Sequence, residues 1–408
     1  MKQGCKIALL SVLAIVFLAV SPVWAQWQFL GLDDLRVETI ELYGNNLYAG
    51  TWDGVYKSDL SGTGTAWTPI GLQGNTVRAL LIVNADTIFA GMTSGPVSIY
   101  RTTNGGTNWW PFEDGYGGGE FEPVFSFERL PQSDETIFAT GVSVIAKSID
   151  LGWSWRPVWG DWNWMAMGVV FVKADQHTTN IVWAGGEAAI FAPWLFKSTD
   201  YGDNWEMIDI WGGGDNRCHD IAIHPGNSNI AWVPMEGLIR KTIDGGENWW
   251  TVLQNNYYLY AIEIDNYRPR LLYSSGYRID QPLTLFITRN GGYTWRPIYY
   301  SNEIINGALD ITMDCGLSKN IIYFGTLDGV YKYTDLKPWI CADANDDEII
   351  NLLDITFMMN FLYRSGPVPD PPEAGDVNSD NGINILDITH LINYLYKGGE
   401  EPYCPLVE

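Results

Sequence analysis

Along most of the chain, short apolar runs alternate with clusters of Gly, Asn, Asp and Ser, the pattern of brief strands joined by tight turns. Between successive copies of one turn motif there are three strand-like runs, for example Asn180 to Ala184 and Leu195 to Lys197, and a fourth begins at the tryptophan closing the motif. Four strands per repeat is the make-up of a propeller blade. Two regions depart from this rhythm. Near the start, Ile7 to Val20 is an apolar run broken only by Ser11. Near the end, apolar residues recur at helical spacing, as Ile355, Met358, Met359 and Leu362 and again as Ile388, Leu391, Ile392 and Leu395, predicting two amphipathic helices whose apolar faces pack together.

The turn motif reads SxDxGxxW, with Thr allowed for Ser and Asn for Asp, and occurs at Thr102, Ser148, Ser198, Thr242 and Thr288. Its tryptophans, Trp109, Trp155, Trp205, Trp249 and Trp295, fall 44 to 50 residues apart, and a degraded copy ends at Trp67. The Asp or Asn side chain is suited to capping backbone N–H groups, Gly to positive φ, and Trp to pinning the turn. These residues are expected to build the fold, not to catalyse. A last unit without a box, from Ile321, echoes the first from Asn46 but lacks an outer strand. The segment Trp27 to Gly31 resembles the post-box strand Trp67 to Gly71 and is expected to fill that place, closing a ring of seven blades and leaving no open edge.

These repeats resemble the Asp-box family, which includes sialidases, sortilin-type receptors, xyloglucan-degrading enzymes and photosystem assembly factors. The resemblance implies a β-propeller over roughly Trp27 to Lys337 and says little about activity. It implies a ligand face opposite the boxes, carrying Trp52, Asp53, Trp159, Asp161, Trp162, Trp164, Glu187, Trp211, Asp215, Glu236, Tyr277, Asp280, Tyr299 and Glu303. Aromatic rings beside carboxylates suit sugars. A glycosidase would need two of these acids at a set separation, and no pair is assignable from sequence. The FRIP-like motif and arginine triad of sialidases are absent, and there is one propeller where xyloglucanases have two. No zinc spacing, GxSxG or phosphate loop occurs. The expectation is a noncatalytic glycan- or protein-binding body; the alternative is a glycoside hydrolase acting on polysaccharide.

After Trp339 one pattern appears twice, 33 residues apart. Oxygen ligands stand at loop positions 1, 3, 5, 9 and 12: Asp343, Asn345, Asp347, Asn351 and Asp354, then Asp376, Asn378, Asp380, Asn384 and Asp387. The carbonyls of Ile349 and Gly382 would serve position 7. Such a set suits calcium. Each loop runs into one of the predicted helices, with the Pro-rich connector Gly366 to Pro372 between the halves. The pair closely resembles a type I dockerin, which implies a cohesin-bearing scaffold as partner. Position 6, usually Gly, is Glu348 in the first loop and Asn381 in the second. Asn tolerates a left-handed backbone better than Glu, so the second of the two calcium sites is expected to be the more dependable. Positions 10 and 11, which the resemblance links to partner choice, are Leu352, Leu353, Ile385 and Leu386.

Composition adds three restrictions. The chain has 408 residues, 46% hydrophobic, with 20 Trp, 22 Tyr and 43 Gly, enough apolar material for a large all-β core. Its net charge of -24, from 24 Lys+Arg against 48 Asp+Glu, opposes nucleic acid as a partner. Lys2 and Lys6, the apolar run and Val23-Trp24-Ala25 read as a secretory signal cleaved before Gln26, hence a secreted or surface-attached bacterial protein. Cys218, Cys315, Cys341 and Cys404 then remain, with three possible pairings; Cys341 with Cys404, bracketing the C-terminal module, is the favoured one. The chain is thus divided into a signal (1–25), a propeller (26–338) and a calcium module (339–404).

Overall fold

The structure, a computed structural model, describes residues 27–162, 167–188, 193–210, 217–278, 280–300, 307–316, 319–336, 339–347 and 349–405. The expected signal and its cleavage point lie outside these residues, as do Trp164, Trp211, Asp215, Glu303 and Glu348. No helix among the described residues is long and apolar enough to cross a membrane.

The body consists of antiparallel sheets arranged as a β-propeller. The first sheet comprises Val37–Tyr43, Asn46–Thr51, Gly54–Asp59 and Trp67–Gly71, paired in chain order. Strands flanked by neighbouring sheets are buried throughout, as in Ile88–Met92, Ile137–Gly141 and Thr284–Thr288, so they are apolar without alternation. Close approach of sheets explains Gly91: a Cβ there would lie 2.6 Å from Val124 Cγ1.

Among the described residues the strands form six sheets, not the expected seven blades: five sheets have four strands and one has six. The strand Trp250–Ile264 pairs with Ala231–Thr242 of one repeat and with Leu272–Tyr277 of the next, so it runs unbroken through the expected boundary between the repeats boxed at Thr242 and Thr288. Register shifts at Glu236/Leu238 and Leu259/Ala261, with Gly237 at φ +85°, bend these strands without interrupting the ladder. Two sequence repeats therefore share one hydrogen-bonded sheet.

The N-terminal strand Trp27–Gly31 pairs antiparallel with Gly329–Leu336, Trp27 opposite Tyr333 and Phe29 opposite Tyr331. Trp27 is buried against Phe324, Tyr333 and Tyr300, with ring centroids 5.1, 5.0 and 5.8 Å away. The last sheet is thus completed from the opposite end of the body, which removes an exposed edge.

All five box turns share one hydrogen-bond scheme. At Ser148 the hydroxyl donates to Asp150 Oδ1 (2.7 Å) and accepts from Gly152 N (2.8 Å), while Asp150 Oδ1 accepts from Ser154 N (2.9 Å). Thr102, Ser198, Thr242 and Thr288 accept in the same way from Gly106, Gly202, Gly246 and Gly292. Glycine is required: at Gly106, φ +91°, a Cβ would sit 2.6 Å from Ile70 O. The tryptophan indoles donate to backbone carbonyls, Trp109 to Ile70 O and Trp155 to Phe112 O. Hydrogen bonds from Asn204 and Asn248 hold Asp200 and Asp244 at about 2. These acids spend their oxygens on their own turns. Lysines preceding two boxes tie sheets together, Lys147 Nζ donating to Tyr201 O and Lys197 Nζ to Gly245 O, each at 2.7 Å.

The C-terminal module has two helices, α1 (Leu352–Arg364) and α2 (Ile385–Lys397). Both begin with a capping box, Asn351 with Asp354 and Asn384 with Asp387. Ile355, Met358, Ile388 and Leu391 are buried in one core with Trp339, Ala344, Ala374 and Val377. Met359, expected in that core, is 47% exposed, because the packed stripe is narrower than the apolar one. Cys341 and Cys404 form a disulfide; Cys218 and Cys315 form none. Arg289 joins module and body: its guanidinium pairs with Asp335 at 2.9 Å and lies over the Trp339 ring, and its carbonyl accepts from Cys341 N.

Candidate functional site

The two calcium loops fold alike. Asp347 N donates to Asp343 Oδ1 at 3.0 Å, and Asp380 N to Asp376 Oδ1 at 3.1 Å. Asp354 accepts from Asn345 N and Asn351 N, and Asp387 from Asn378 N and Asn384 N. These bonds come from the loop backbone and aim the position-12 carboxylates back across each loop. In the second loop, oxygens of Asp376, Asp380 and Asp387 lie within 4.8 Å of one another. Asn381 takes the left-handed conformation, φ 73°, that position 6 demands, and its N–H donates to Asp376 Oδ2 at 3.0 Å. Burial raises Asp354, Asp376 and Asp387, the cost of gathering carboxylates without a countercharge. Converging hard oxygens with no cationic side chain among them fit a calcium ion, which would be held by Asp376, Asn378, Asp380, Asn384 and Asp387 and would neutralise that charge. Leu352, Leu353, Ile385 and Leu386 are all more than half exposed beside the loops and available to a partner.

On the propeller, the residues expected to bind ligand are scattered. Trp52 is 53% exposed, but Asp53 is engaged by Tyr56 Oη and Gly74 N. Trp159 packs on Phe196 at 4.3 Å and Trp194 at 6.2 Å, between sheets. Trp162 packs on Tyr116 at 4.8 Å, and Asp161 is exposed next to it. Glu187 and Glu236 lie together, both paired with Arg217. Tyr277 stacks on Tyr258, Asp280 pairs with Arg278, and Tyr299 is exposed.

Sequence reasoning missed the centre of the ring. Seven chain segments line one axial cavity of about 200 Å³, the six-stranded sheet and the residues leading into it supplying two of them, 219–220 and 260–263. Inner strands are tied in register: Asp310 Oδ2 accepts from Ile40 N, Glu128 Oε1 from Ala174 N, and Asp220 Oδ2 from Ile262 N. The floor carries Glu41, Glu128, Asp220, Glu263 and Asp310 around Lys173. Burial, then Asp310, pushes Glu41 up to about 8; burial likewise lifts Glu128 and Glu263 to about 7 and Asp310 to about 6. Near the other end lie Glu38, Arg78, Phe125, His219 and Tyr260. Charged residues at one shared register of four of the inner strands, Glu41, Glu128, Lys173 and Glu263, were the signal available in the sequence.

The dockerin type I domain family matches residues 341–396, so the chain carries a dockerin type I domain joined to a β-propeller. Domains of this family bind calcium and cohesin partners and occur in extracellular or cell-surface proteins. No curated protein matches the chain. Among solved structures, it is similar to the GH74 xyloglucanase from Xanthomonas campestris, with 17% identity over 77% of this chain and 54% of that one and a TM-score of 0.58. It is also similar to YCF48 bound to D1 peptide, with 13% identity over 76% and 96% and a TM-score of 0.58. A third is the extracellular domain of a putative hybrid two-component system from B. thetaiotaomicron, with 12% identity over 76% and 39% and a TM-score of 0.57. The chain spans about half the length of the xyloglucanase it matches. At these identities the likeness establishes the propeller fold alone.

Proposed function

We propose that this is a secreted propeller whose body binds a glycan or protein without catalysis and whose dockerin domain, on loading two calcium ions, attaches it to a cohesin-bearing scaffold or cell surface. The observation that carries the tethering half is the duplicated loop, in which Asp376, Asp380 and Asp387 converge within 4.8 Å above the start of α2. Calcium would join loop to helix, and the exposed Leu352, Leu353, Ile385 and Leu386 would give the partner an apolar contact. The proposed division is a signal over 1–25, a propeller over 26–338 and a dockerin over 339–404.

The binding reading for the body is supported by the box acids, which are consumed by their own turns, and by Glu187 and Glu236, which are both paired with Arg217. The competing reading, hydrolysis of a polysaccharide, draws on the xyloglucanase likeness. One experiment separates them: the purified protein is incubated with insoluble polysaccharides, and both retention and released reducing ends are measured. Retention without release is expected. Release that disappears in Asp53→Asn or Asp161→Asn would establish a hydrolase instead. Immobilised cohesin modules, with and without EGTA, test the tether; calcium-independent capture, or no capture, would overturn it.

A further inference from the structure

The axial cavity is bipolar, and its polarity selects a ligand. Arg36 pairs with Glu38 at 2.6 Å, and Arg217 pairs with Glu187 and Glu236. Arg78 differs. It lies 4.8 Å over the Phe125 ring, and it makes no hydrogen bond or ion pair with any described residue. Beside it, the His219 ring packs on Tyr260 at 4.4 Å, with His219 Nε2 3.8 Å from Glu236. The Arg78 guanidinium is half-buried and feels the Glu38 charge, yet no hydrogen bond to a described residue occupies its N–H groups, which are open to a ligand carboxylate through paired N–H···O bonds. Three residues further along each inner strand, about 10 Å deeper, the wall changes to Glu41, Glu128 and Glu263 with Asp310 and Asp220 between. Those carboxyls, held largely protonated near neutral pH, donate hydrogen bonds to hydroxyls and accept them. The cavity, at about 200 Å³, is below the roughly 300–1,000 Å³ typical of drug-sized ligands.

We propose that the axial cavity binds a hexuronic acid unit, such as the terminal residue of an acidic polysaccharide, with its carboxylate on Arg78 and its hydroxyls toward the acidic floor. A neutral sugar leaves Arg78 unsatisfied, and a simple carboxylate leaves the floor unused. Tyr260 and Phe125 supply apolar surface for the sugar ring. The inference rests on the glycan-binding reading of the body and narrows it to acidic sugars, at the centre of the ring beside Glu236.

The test is calorimetric titration of the full chain, calcium-loaded, with sodium D-glucuronate, sodium D-galacturonate, D-glucose, sodium acetate and a short peptide with free or amidated C-terminus. A hexuronate is expected to bind while glucose and acetate give no heat. Arg78→Met is expected to weaken binding about 10- to 100-fold, with Arg78→Lys recovering part of it. Tyr260→Ala, which removes that apolar surface, is expected to weaken hexuronate binding and provides a second variant should Arg78→Met unfold; unchanged binding in it would overturn the placement of the sugar ring. Equal binding of acetate and hexuronate would overturn the sugar assignment, as would binding of the free-acid peptide alone. Retention on neutral polysaccharide without hexuronate binding would overturn this proposal and leave the glycan-binding body standing. No heat with any probe and no retention would remove both.

Discussion

The propeller and the dockerin domain both repeat a polar loop, but the loops spend their acids differently. In the box turns, Asp150, Asp200 and Asp244 each accept a backbone N–H and a hydroxyl from their own turn, and hydrogen bonding holds the last two at about 2. In the calcium loops, three carboxylates of the second copy face one another, and burial raises Asp376 and Asp387. A single acid satisfied by backbone is a structural fastener. Several acids turned together are unstable until a cation arrives.

The largest expected effect follows from that contrast. Calcium removal by EGTA should abolish the helical circular dichroism of α1 and α2 while leaving the β signal of the body intact; loss of both together would show that the domains do not fold separately. Box variants come next. Asp244→Ala removes the acceptor for Asn248 N and the partner of the Thr242 hydroxyl and is expected to lower the midpoint of denaturant unfolding without affecting calcium uptake. Gly106→Ala should cost about 1–2 kcal/mol or more, since φ +91° and the 2.6 Å approach to Ile70 O both oppose a Cβ. Within the dockerin, Asp387→Ala should weaken calcium binding more than Asp343→Ala, and equal losses would equate the two loops.

The axial floor adds an effect read through pH. Glu41 faces Asp310, Lys173, Glu263 and Glu128, and its folded-state value near 8 lies above the ordinary 4.5. The folded protein therefore holds a proton that the unfolded chain has released. Stability from this group is present at acid pH and is lost as pH rises from about 4.5 to 8. The raised values of Glu128 and Glu263, near 7, act in the same direction. Melting temperature should fall over that window, and Glu41→Gln should flatten the slope; an unchanged slope would place the titration elsewhere.

Much of the architecture was legible because it depends on neighbours in sequence. Box turns, capping boxes and calcium loops close their hydrogen bonds within a few residues, so their spacing was sufficient to find them. Trp27–Gly31 was placed by likeness to Trp67–Gly71, and it does pair with Gly329–Leu336. The blade count failed for the opposite reason. Box spacing assigns Ala231–Thr242 and Leu272–Tyr277 to different repeats, whereas Trp250–Ile264 runs unbroken between them and hydrogen-bonds to both. The aromatic candidates divided likewise: Trp159 and Trp162 look in sequence like a sugar platform, yet their rings are met by Phe196 and Tyr116.

By itself the sequence determined the propeller class, the box turns and the paired oxygen sets of the dockerin, since each is a local pattern of side-chain type and interval. Only the tertiary structure decided that there are six sheets, that Met359 is exposed, and that Arg78, His219, Tyr260 and the floor acids share one cavity. The physical reason is closure of the ring: residues dozens of positions apart become neighbours only when the inner strands surround a common axis.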